Sequence, residues 1–171
     1  MSETSIARNV LSPFCNGFGI DIGFGGDAIT ENAITFDLPN PYRKDKGKQI
    51  LRGDCRNLDF ICNDVFDYVY SSHLLEDFTY EELPSIIKEW RRILKTGGLF
   101  IVNCPDQQRF ISHCKKTGQP LNHSHKEKDF SLQTFKAIVE KVGLWQTVFV
   151  EPKIGDYSWY LVLKKIDITM L

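Results

Sequence analysis

The chain has 171 residues, of which 42% are hydrophobic and 25% are charged, a composition typical of a folded globular protein rather than a disordered one. Its 21 basic and 22 acidic residues almost cancel, so neither nucleic acid nor an anionic membrane surface is expected as a partner. At this length we expect a single domain over residues 1–171.

The first elements in chain order are two strands with an unusually short connection. Residues 1–16 show little periodicity and predict a surface lead-in or one short helical turn. Phe18–Ile22 and Ala33–Phe36 are apolar runs that predict the first two strands. A crossover that contains a full helix needs at least about 10–12 residues, so the first crossover helix is predicted to be shortened to a turn or two, or absent.

Two further strands follow, and the second of them has a polar end. Gln49–Arg52 predicts a short third strand. Phe66–Tyr70 is rich in aromatic and β-branched residues and predicts the fourth, which ends in Ser71-Ser72-His73. Ligands bind at the carboxyl ends of strands in open parallel sheets, so this polar end is a candidate site.

The strongest helical pattern follows the fourth strand. Apolar side chains recur at spacings of three and four from Leu83 to Leu94, with Pro84 in the first turn. Gly97 is predicted as the C′ residue that ends this helix. Leu99–Val102 is entirely apolar and predicts a central fifth strand.

Two more helices are predicted beyond the fifth strand. Pro105 is expected to open the first of them, which runs to about Lys116 before Gly118 stops it. Ser131 is expected to cap the second, with Phe130 and Phe135 placed for a hydrophobic staple around the cap.

The last predicted elements are two strands joined by a tight turn. Trp145–Glu151 and Tyr157–Lys164 are separated only by Pro152–Asp156, a connection that permits antiparallel pairing alone. The alternation of strands and helices therefore predicts an α/β fold. We expect a Rossmann-like, doubly wound, mostly parallel sheet with a C-terminal antiparallel hairpin.

The cysteines and the lack of long apolar runs indicate the cellular compartment in which the chain is expected. The five cysteines contain no Cys-x-x-Cys pair, so neither a disulfide framework nor a zinc site is indicated. His123 and His125 are two histidines in a polar loop, too few for a metal site, and no metal is expected. No segment is long and apolar enough for a signal peptide or a membrane span. The chain is predicted to be soluble and cytoplasmic.

The most informative segment is the glycine cluster after the first strand. Ile20-Asp21-Ile22-Gly23-Phe24-Gly25-Gly26 breaks from an apolar run into a turn, and Asp37 closes the next apolar run. Glycines allow close approach of the backbone to a ligand, and a carboxylate at a strand end can accept both ribose hydroxyls. This pattern predicts a nucleoside site.

A dinucleotide dehydrogenase is the natural alternative, but the spacing disfavours it. Gly23, Gly25 and Gly26 do not form Gly-x-Gly-x-x-Gly, and Asp27 adds a negative charge where a pyrophosphate would bind. A sulfonium cofactor without phosphate tolerates this acidic neighbour.

In order along the chain, five segments resemble the class I S-adenosylmethionine-dependent methyltransferases, in particular the small type 11 group. They are the glycine turn, Asp37, Gly53-Asp54-Cys55-Arg56-Asn57-Leu58, Phe66–Glu76 and Arg92–Gly98. The resemblance implies S-adenosylmethionine as cofactor and an EC 2.1.1 type of activity. It places the cofactor against Asp21, Gly23, Gly25, Asp37, Leu38, Asp54, Cys55 and Ser71.

Two histidines are the candidate catalytic residues. His73 follows the strand that opens onto the methyl group in this family, and it could deprotonate an acceptor hydroxyl. His125 lies in the polar loop 119–130, which is a candidate acceptor contact. The other interpretations are a pocket-wall or capping role for His73 and a solvated surface loop around His125.

Two functions therefore remain open from the sequence. The first is methyl transfer to a small molecule, with a sugar or another hydroxyl acceptor favoured by the polar loop. The second is a non-catalytic binding or scaffolding protein with the methyltransferase fold, which the short first connection favours. The substrate lid is expected to be small, built from residues 105–130, or borrowed from a partner subunit in a homodimer.

Overall fold

The fold is a seven-stranded sheet with helices on both faces. The computed structural model describes residues 2–39 and 48–167, and the strand order is β3-β2-β1-β4-β5-β7-β6. The strands are β1 Gly19–Ile22, β2 Ile34–Asp37, β3 Leu51–Arg52, β4 Phe66–Ser72, β5 Leu94–Pro105, β6 Trp145–Ile154 and β7 Ser158–Lys165. The helices are α1 Glu3–Leu11, α2 Leu83–Ile93, α3 Gln107–Thr117 and α4 Leu132–Val142.

The pairing confirms the predicted Rossmann-like α/β fold. β1 to β5 pair in parallel, while β7 pairs antiparallel with both β5 and β6. β7 therefore lies inside the sheet and β6 at its edge, although β6 precedes it in sequence. The composition explains this order, because the run Trp159–Leu163 is buried on both faces whereas Val148 and Val150 of β6 are exposed.

Side chains that alternate along the strands divide the core between the two faces. On one face, Trp90 of α2 and Phe135 of α4 pack against Phe100 of β5. On the other face, Ala7 and Leu11 belong to the cluster that includes Tyr68, Tyr70 and Ile101 of the sheet. This alternation is the two-residue period of β-strands, and it buries both faces of the sheet.

The prediction for residues 1–16 was wrong, because α1 is a nine-residue helix. Ser2 caps it by accepting from the Ser5 amide at 3.0 Å, and Thr4, Ala7 and Leu11 form its buried side. Residues 23–33, all of them described, contain no helix, as the short spacing between the first two strands predicted. The cover for this face of the sheet therefore comes from α1, which precedes β1 in the chain.

Two predicted helix boundaries also need correction. α2 already ends at Ile93, so Gly97 is not its C′ residue but lies in β5, with a φ of 82° where the pairing with β4 changes register. Pro105 does not open α3 but ends β5, because β5 continues its pairing with β7 as far as Ser158. The side chain of Asp106 caps α3 instead.

The predicted cap of α4 is confirmed. Ser131 is its N-cap in a capping box with Thr134, and the rings of Phe130 and Phe135 lie 6.0 Å apart. Among the described residues, no helix has both the length and the apolar character that crossing a membrane requires.

Candidate functional site

The glycine turn lies directly at the carboxyl end of β1. Gly23, Gly25 and Gly26 have φ values of 74°, 57° and 89°, in the left-handed region that favours glycine. The Gly23 amide donates to the Phe36 carbonyl at 2.8 Å, and a Cβ at Gly23 would lie 2.6 Å from a methyl carbon of Leu74. The turn is therefore held tightly between β2 and the segment that follows β4.

Asp37 lies beside this turn at the end of β2. One carboxylate oxygen accepts from the Gly25 amide at 3.1 Å and the other from the Leu38 amide at 2.7 Å. The side chain is only partly buried. The structure thus brings together Gly25, Asp37 and Leu38, three of the residues that the sequence assigns to the cofactor.

Asp21 lies under the same turn but is completely buried. Its Oδ2 accepts from the Ile29 amide at 2.7 Å, whereas Oδ1 has no hydrogen-bond partner among the described residues. Burial is the main reason that the pKa of this carboxyl rises to about 8, and the nearby Asp27 and Asp37 add to the effect. A cation that contacted Oδ1 would favour the ionised form of Asp21 and would provide this oxygen with a hydrogen-bond partner.

Asp54 and Cys55 follow β3 next to the end of β2, where the Gly53 amide donates to the Asp37 carbonyl at 3.0 Å. Asp54 is paired with Arg56 at 2.6 Å, which lowers the pKa of its carboxyl. Cys55 is buried, and its carbonyl accepts from the Trp90 indole at 2.8 Å. Its backbone is therefore fixed by the core below it.

Ser71 is fully buried in β4, paired with Ile22 at the start of the glycine turn. Its hydroxyl donates to the Ile22 carbonyl at 2.9 Å. This contact ties β4 to β1 at the carboxyl edge of the sheet.

His73 lies just beyond β4 with a φ of 52°, and its amide donates to the Asn103 carbonyl. Its Nδ1 lies 3.4 Å from Glu76 Oε1. Its Nε2 lies 3.3 Å from the Ser158 hydroxyl and 3.5 Å from Glu3 Oε2. Burial lowers the pKa of the imidazole to about 4, so the ring is neutral at physiological pH.

His125 reaches the same place from the polar loop. Its Nε2 lies 3.8 Å from Glu76 Oε1, and its Nδ1 lies 2.6 Å from Gln107 Oε1. Its ring packs against Phe110, and burial lowers its pKa. The Lys126 amide donates to the Glu76 carbonyl at 3.0 Å, which anchors the loop. The two histidines that the sequence singled out therefore converge on one carboxyl group.

That carboxyl group, Glu76, was missed as a site residue. Its exposed fraction is 1%, one oxygen faces both histidines, and the other has no hydrogen-bond partner within the described chain. Burial raises its pKa to about 8. Its spacing of three residues from His73 in a turn was the available signal. We call His73, Glu76 and His125 the Glu76 cluster.

Distant parts of the chain surround the Glu76 cluster. Glu3 comes from α1, Gln107 from α3 and Ser158 from β7, and the Tyr157 hydroxyl donates to Glu3 Oε1 at 2.8 Å. Gln107 and His125 lie within residues 105–130, one of the expected sources of a substrate lid. Glu3 of α1, which lies outside that range, also contacts the cluster.

The sheet order and the glycine turn at its carboxyl edge define a Rossmann-like methyltransferase fold. Residues 20–102 match a family model described as a methyltransferase domain, of type 11. The matched segment makes the chain similar to the class I, type 11-like S-adenosylmethionine-dependent methyltransferases, and S-adenosylmethionine is its expected cofactor. No curated protein matches the sequence.

Solved structures from other organisms share the fold at low sequence identity. A SAM-dependent methyltransferase from Archaeoglobus fulgidus superposes with a TM-score of 0.71 at 16% identity, covering 95% of this chain and 94% of that one. The PH0226 protein from Pyrococcus horikoshii gives 0.69 at 18%, covering 94% and 89%. A possible histamine N-methyltransferase from Thermotoga maritima gives 0.65 at 19%, covering 97% and 88%.

Proposed function

We propose that the protein methylates a hydroxyl group of a small molecule, such as a sugar, with His73 as general base. The observation that carries this proposal is the convergence of His73 and His125 on the buried Glu76 at the end of β4. A base is needed for a hydroxyl acceptor because an alcohol is a weak nucleophile until its proton is removed.

The cofactor residues fit a cationic nucleoside ligand. Asp37 has a partly exposed carboxylate beside the glycine turn. Asp21 has a buried oxygen, Oδ1, without a hydrogen-bond partner among the described residues. We assign the ribose to Asp37 and the methionine ammonium group to Asp21. Around them, Gly23, Gly25, Leu38, Asp54, Cys55 and Ser71 complete the proposed cofactor site. When bound, S-adenosylmethionine supplies a methyl group on a positively charged sulfur.

His73 can take the acceptor proton at Nε2. Its Nδ1 faces Glu76, so an Nδ1–H donated to Glu76 leaves Nε2 unprotonated and able to accept. The contacts of Nε2 to Ser158 and Glu3 are 3.3 and 3.5 Å long, and an acceptor hydroxyl can replace them. The rest of the catalysis is positioning, since alignment of acceptor and methyl group needs no further nucleophile.

The test of the base is His73→Gln, which keeps a polar side chain but cannot accept a proton. We expect kcat to fall by about 10²–10⁴-fold with S-adenosylmethionine affinity unchanged. His123→Gln, at an exposed histidine of the polar loop, is the control and should leave kcat unchanged. Unchanged kcat in His73→Gln would rule out His73 as the base.

A non-catalytic binding protein is the second candidate. It is favoured by the missing helix between β1 and β2, which leaves residues 23–33 in turns. Saturable S-adenosylmethionine binding in calorimetry without methyl transfer to any of a broad set of acceptors would support it. Turnover with a single acceptor would exclude it, and the lack of any cofactor binding would exclude the methyltransferase.

A further inference from the structure

A surface groove lies between α3 and the turn that joins β6 to β7, with a volume of about 360 Å³. One side of α3 lines it with Arg109, His113 and Lys116, while the end of β6 contributes Lys153 and the turn after it contributes Asp156. None of these residues belongs to the proposed cofactor site. We call this feature the α3 groove.

The α3 groove is positively charged in a chain whose net charge is −1. Arg109, Lys116 and Lys153 line the groove together with one carboxylate, Asp156, which lies 2.9 Å from Nδ1 of His113. Within residues 2–39 and 48–167, neither Lys116 nor Lys153 forms an ion pair. The two lysines are therefore available to an anion.

Arg109 is anchored in a way that favours ligand binding. Its Nη1 donates to the Pro152 carbonyl at 2.9 Å, and its Nε lies 4.0 Å from Asp106. An arginine held by the backbone of the opposite wall loses less side-chain entropy when it binds an oxyanion. The two lysines can donate charge-assisted hydrogen bonds to the same oxyanion, and such bonds are stronger than those between neutral groups.

The groove adjoins the Glu76 cluster across one aromatic side chain. The rings of His113 and Tyr157 lie 5.1 Å apart, and the rings of Tyr157 and His73 lie 6.2 Å apart. His113 of the groove and His73 of the Glu76 cluster therefore both lie against the ring of Tyr157.

We propose that the α3 groove binds an anionic group, a phosphate or a carboxylate, of the methyl acceptor. This inference rests on the proposed function, and it narrows the acceptor to an anionic hydroxyl compound. Cations of Arg109, Lys116 and Lys153 recognise the oxyanion, while the acceptor hydroxyl points to His73.

Inorganic phosphate is the first probe, titrated into the full chain and followed by amide NMR shifts, with sodium chloride at equal ionic strength as reference. We expect saturable shifts at residues 108–116 and 153–157 with a Kd of about 1 mM, as suits a single small anion. Shifts that do not saturate, or that sodium chloride reproduces, would overturn the proposal.

The double variant Lys116→Gln/Lys153→Gln tests the named cations. We expect its phosphate affinity to fall by about tenfold or more, because two charge-assisted contacts are lost. Lys88→Gln/Lys141→Gln removes the same charge at two exposed lysines of α2 and α4 and is the matched control. An equal loss of affinity in both double variants would show a nonspecific charge effect and overturn the proposal.

Methylation rates of matched anionic and neutral acceptors then test whether the groove contributes to catalysis. They also distinguish a phosphate from a carboxylate as the anionic group. Glycerol 3-phosphate against glycerol tests a phosphate, and 4-hydroxybenzoate against 4-hydroxybenzyl alcohol tests a carboxylate. Preferential methylation of an anionic member, with KM rather than kcat affected in Lys116→Gln/Lys153→Gln, supports the proposal. Preference for the neutral members overturns it and leaves the methyltransferase standing. Lack of S-adenosylmethionine binding in calorimetry overturns the proposed function, and the phosphate titration still decides on the groove.

Discussion

At the scale of single residues, three carboxyl groups near the carboxyl edge of the sheet occupy different environments. Asp37 is partly exposed and accepts from two backbone amides. Asp21 and Glu76 are buried, and each has one oxygen without a hydrogen-bond partner among the described residues. Burial raises the pKa of both buried carboxyl groups to about 8, so each of them holds a proton at neutral pH.

The variant Asp37→Asn keeps the size of the side chain and removes its charge. We expect the Kd for S-adenosylmethionine in calorimetry to rise by about 10- to 100-fold, because hydrogen bonds to a charged group contribute about 1.5–3 kcal/mol. Asp59→Asn, at an exposed carboxylate, is the control. Unchanged affinity in Asp37→Asn would contradict the assignment of the ribose to this residue.

Asp21 predicts an unusual dependence of stability on pH. The pKa of an ordinary aspartate is 3.8, and that of Asp21 in the folded chain is about 8. Between these values the folded protein keeps a proton that the unfolded chain has released, so this contribution to stability is lost as the pH rises from about 4 to about 8. The free energy of unfolding of Asp21→Asn should therefore change less with pH than that of the unmodified protein.

Urea unfolding at several pH values measures this difference, with Asp59→Asn as the control. Parallel pH profiles for Asp21→Asn and the unmodified protein would show that Asp21 is ionised in the folded state at neutral pH.

The sequence predicted some contacts of the candidate site and missed others for a physical reason. Gly25 follows β1 and Asp37 ends β2, and the carboxyl ends of neighbouring parallel strands meet at one edge of the sheet. The proximity of these two residues therefore follows from the sequence pattern. Glu76 lies three residues after His73, so its proximity to this histidine could also have been predicted from the sequence. The contact of His125 with Gln107 depends on how a loop folds over α3, which no spacing rule specifies.

At the scale of elements, α1 replaces the helix that the connection between β1 and β2 lacks. Its buried residues Thr4, Ala7 and Leu11 are spaced by three and four, but two of them are small or polar. The apolar stripe was too weak to predict a helix, and packing against Tyr68, Tyr70 and Ile101 explains why it forms. Long apolar stripes such as that of α2 were predictable because they bury large side chains.

Leu11→Ala tests the contribution of α1 to stability. Leu11 is completely buried, so we expect the free energy of unfolding to fall by about 2–5 kcal/mol. Val10→Ala, on the exposed side of the same helix, should change it by less than about 0.5 kcal/mol. Equal effects of the two variants in denaturant unfolding would show that α1 does not pack as described.

At the scale of the whole molecule, the position of each strand in the sheet predicts its local stability. β4 and β5 are buried and paired on both sides, and β7 is buried inside the hairpin that closes the sheet. β3 has two residues and β6 has exposed valines, and both are edge strands. The alternation of strands and helices predicted a mostly parallel sheet with a C-terminal hairpin. The place of β7 between β5 and β6 depends on which strand of the hairpin is buried on both faces.

Native-state hydrogen exchange should reflect this order. We expect the amides of β4, β5 and β7 to exchange most slowly, at the rate of global unfolding, and those of β3 to exchange fastest among the strands. Exchange in β3 that is as slow as in β4 would contradict the strand order.

The contacts around His73 also have a consequence for how the protein is made. Glu3 lies near the start of the chain, and Tyr157 and Ser158 near the end of the described part, yet all three adjoin the same imidazole. During translation α1 is synthesised before the seven described strands, and β7 is the last of those strands to be synthesised. The glycine turn can therefore form on the ribosome before Tyr157 and Ser158 are available to contact His73. We expect methyl transfer only after β7 has been released from the ribosome.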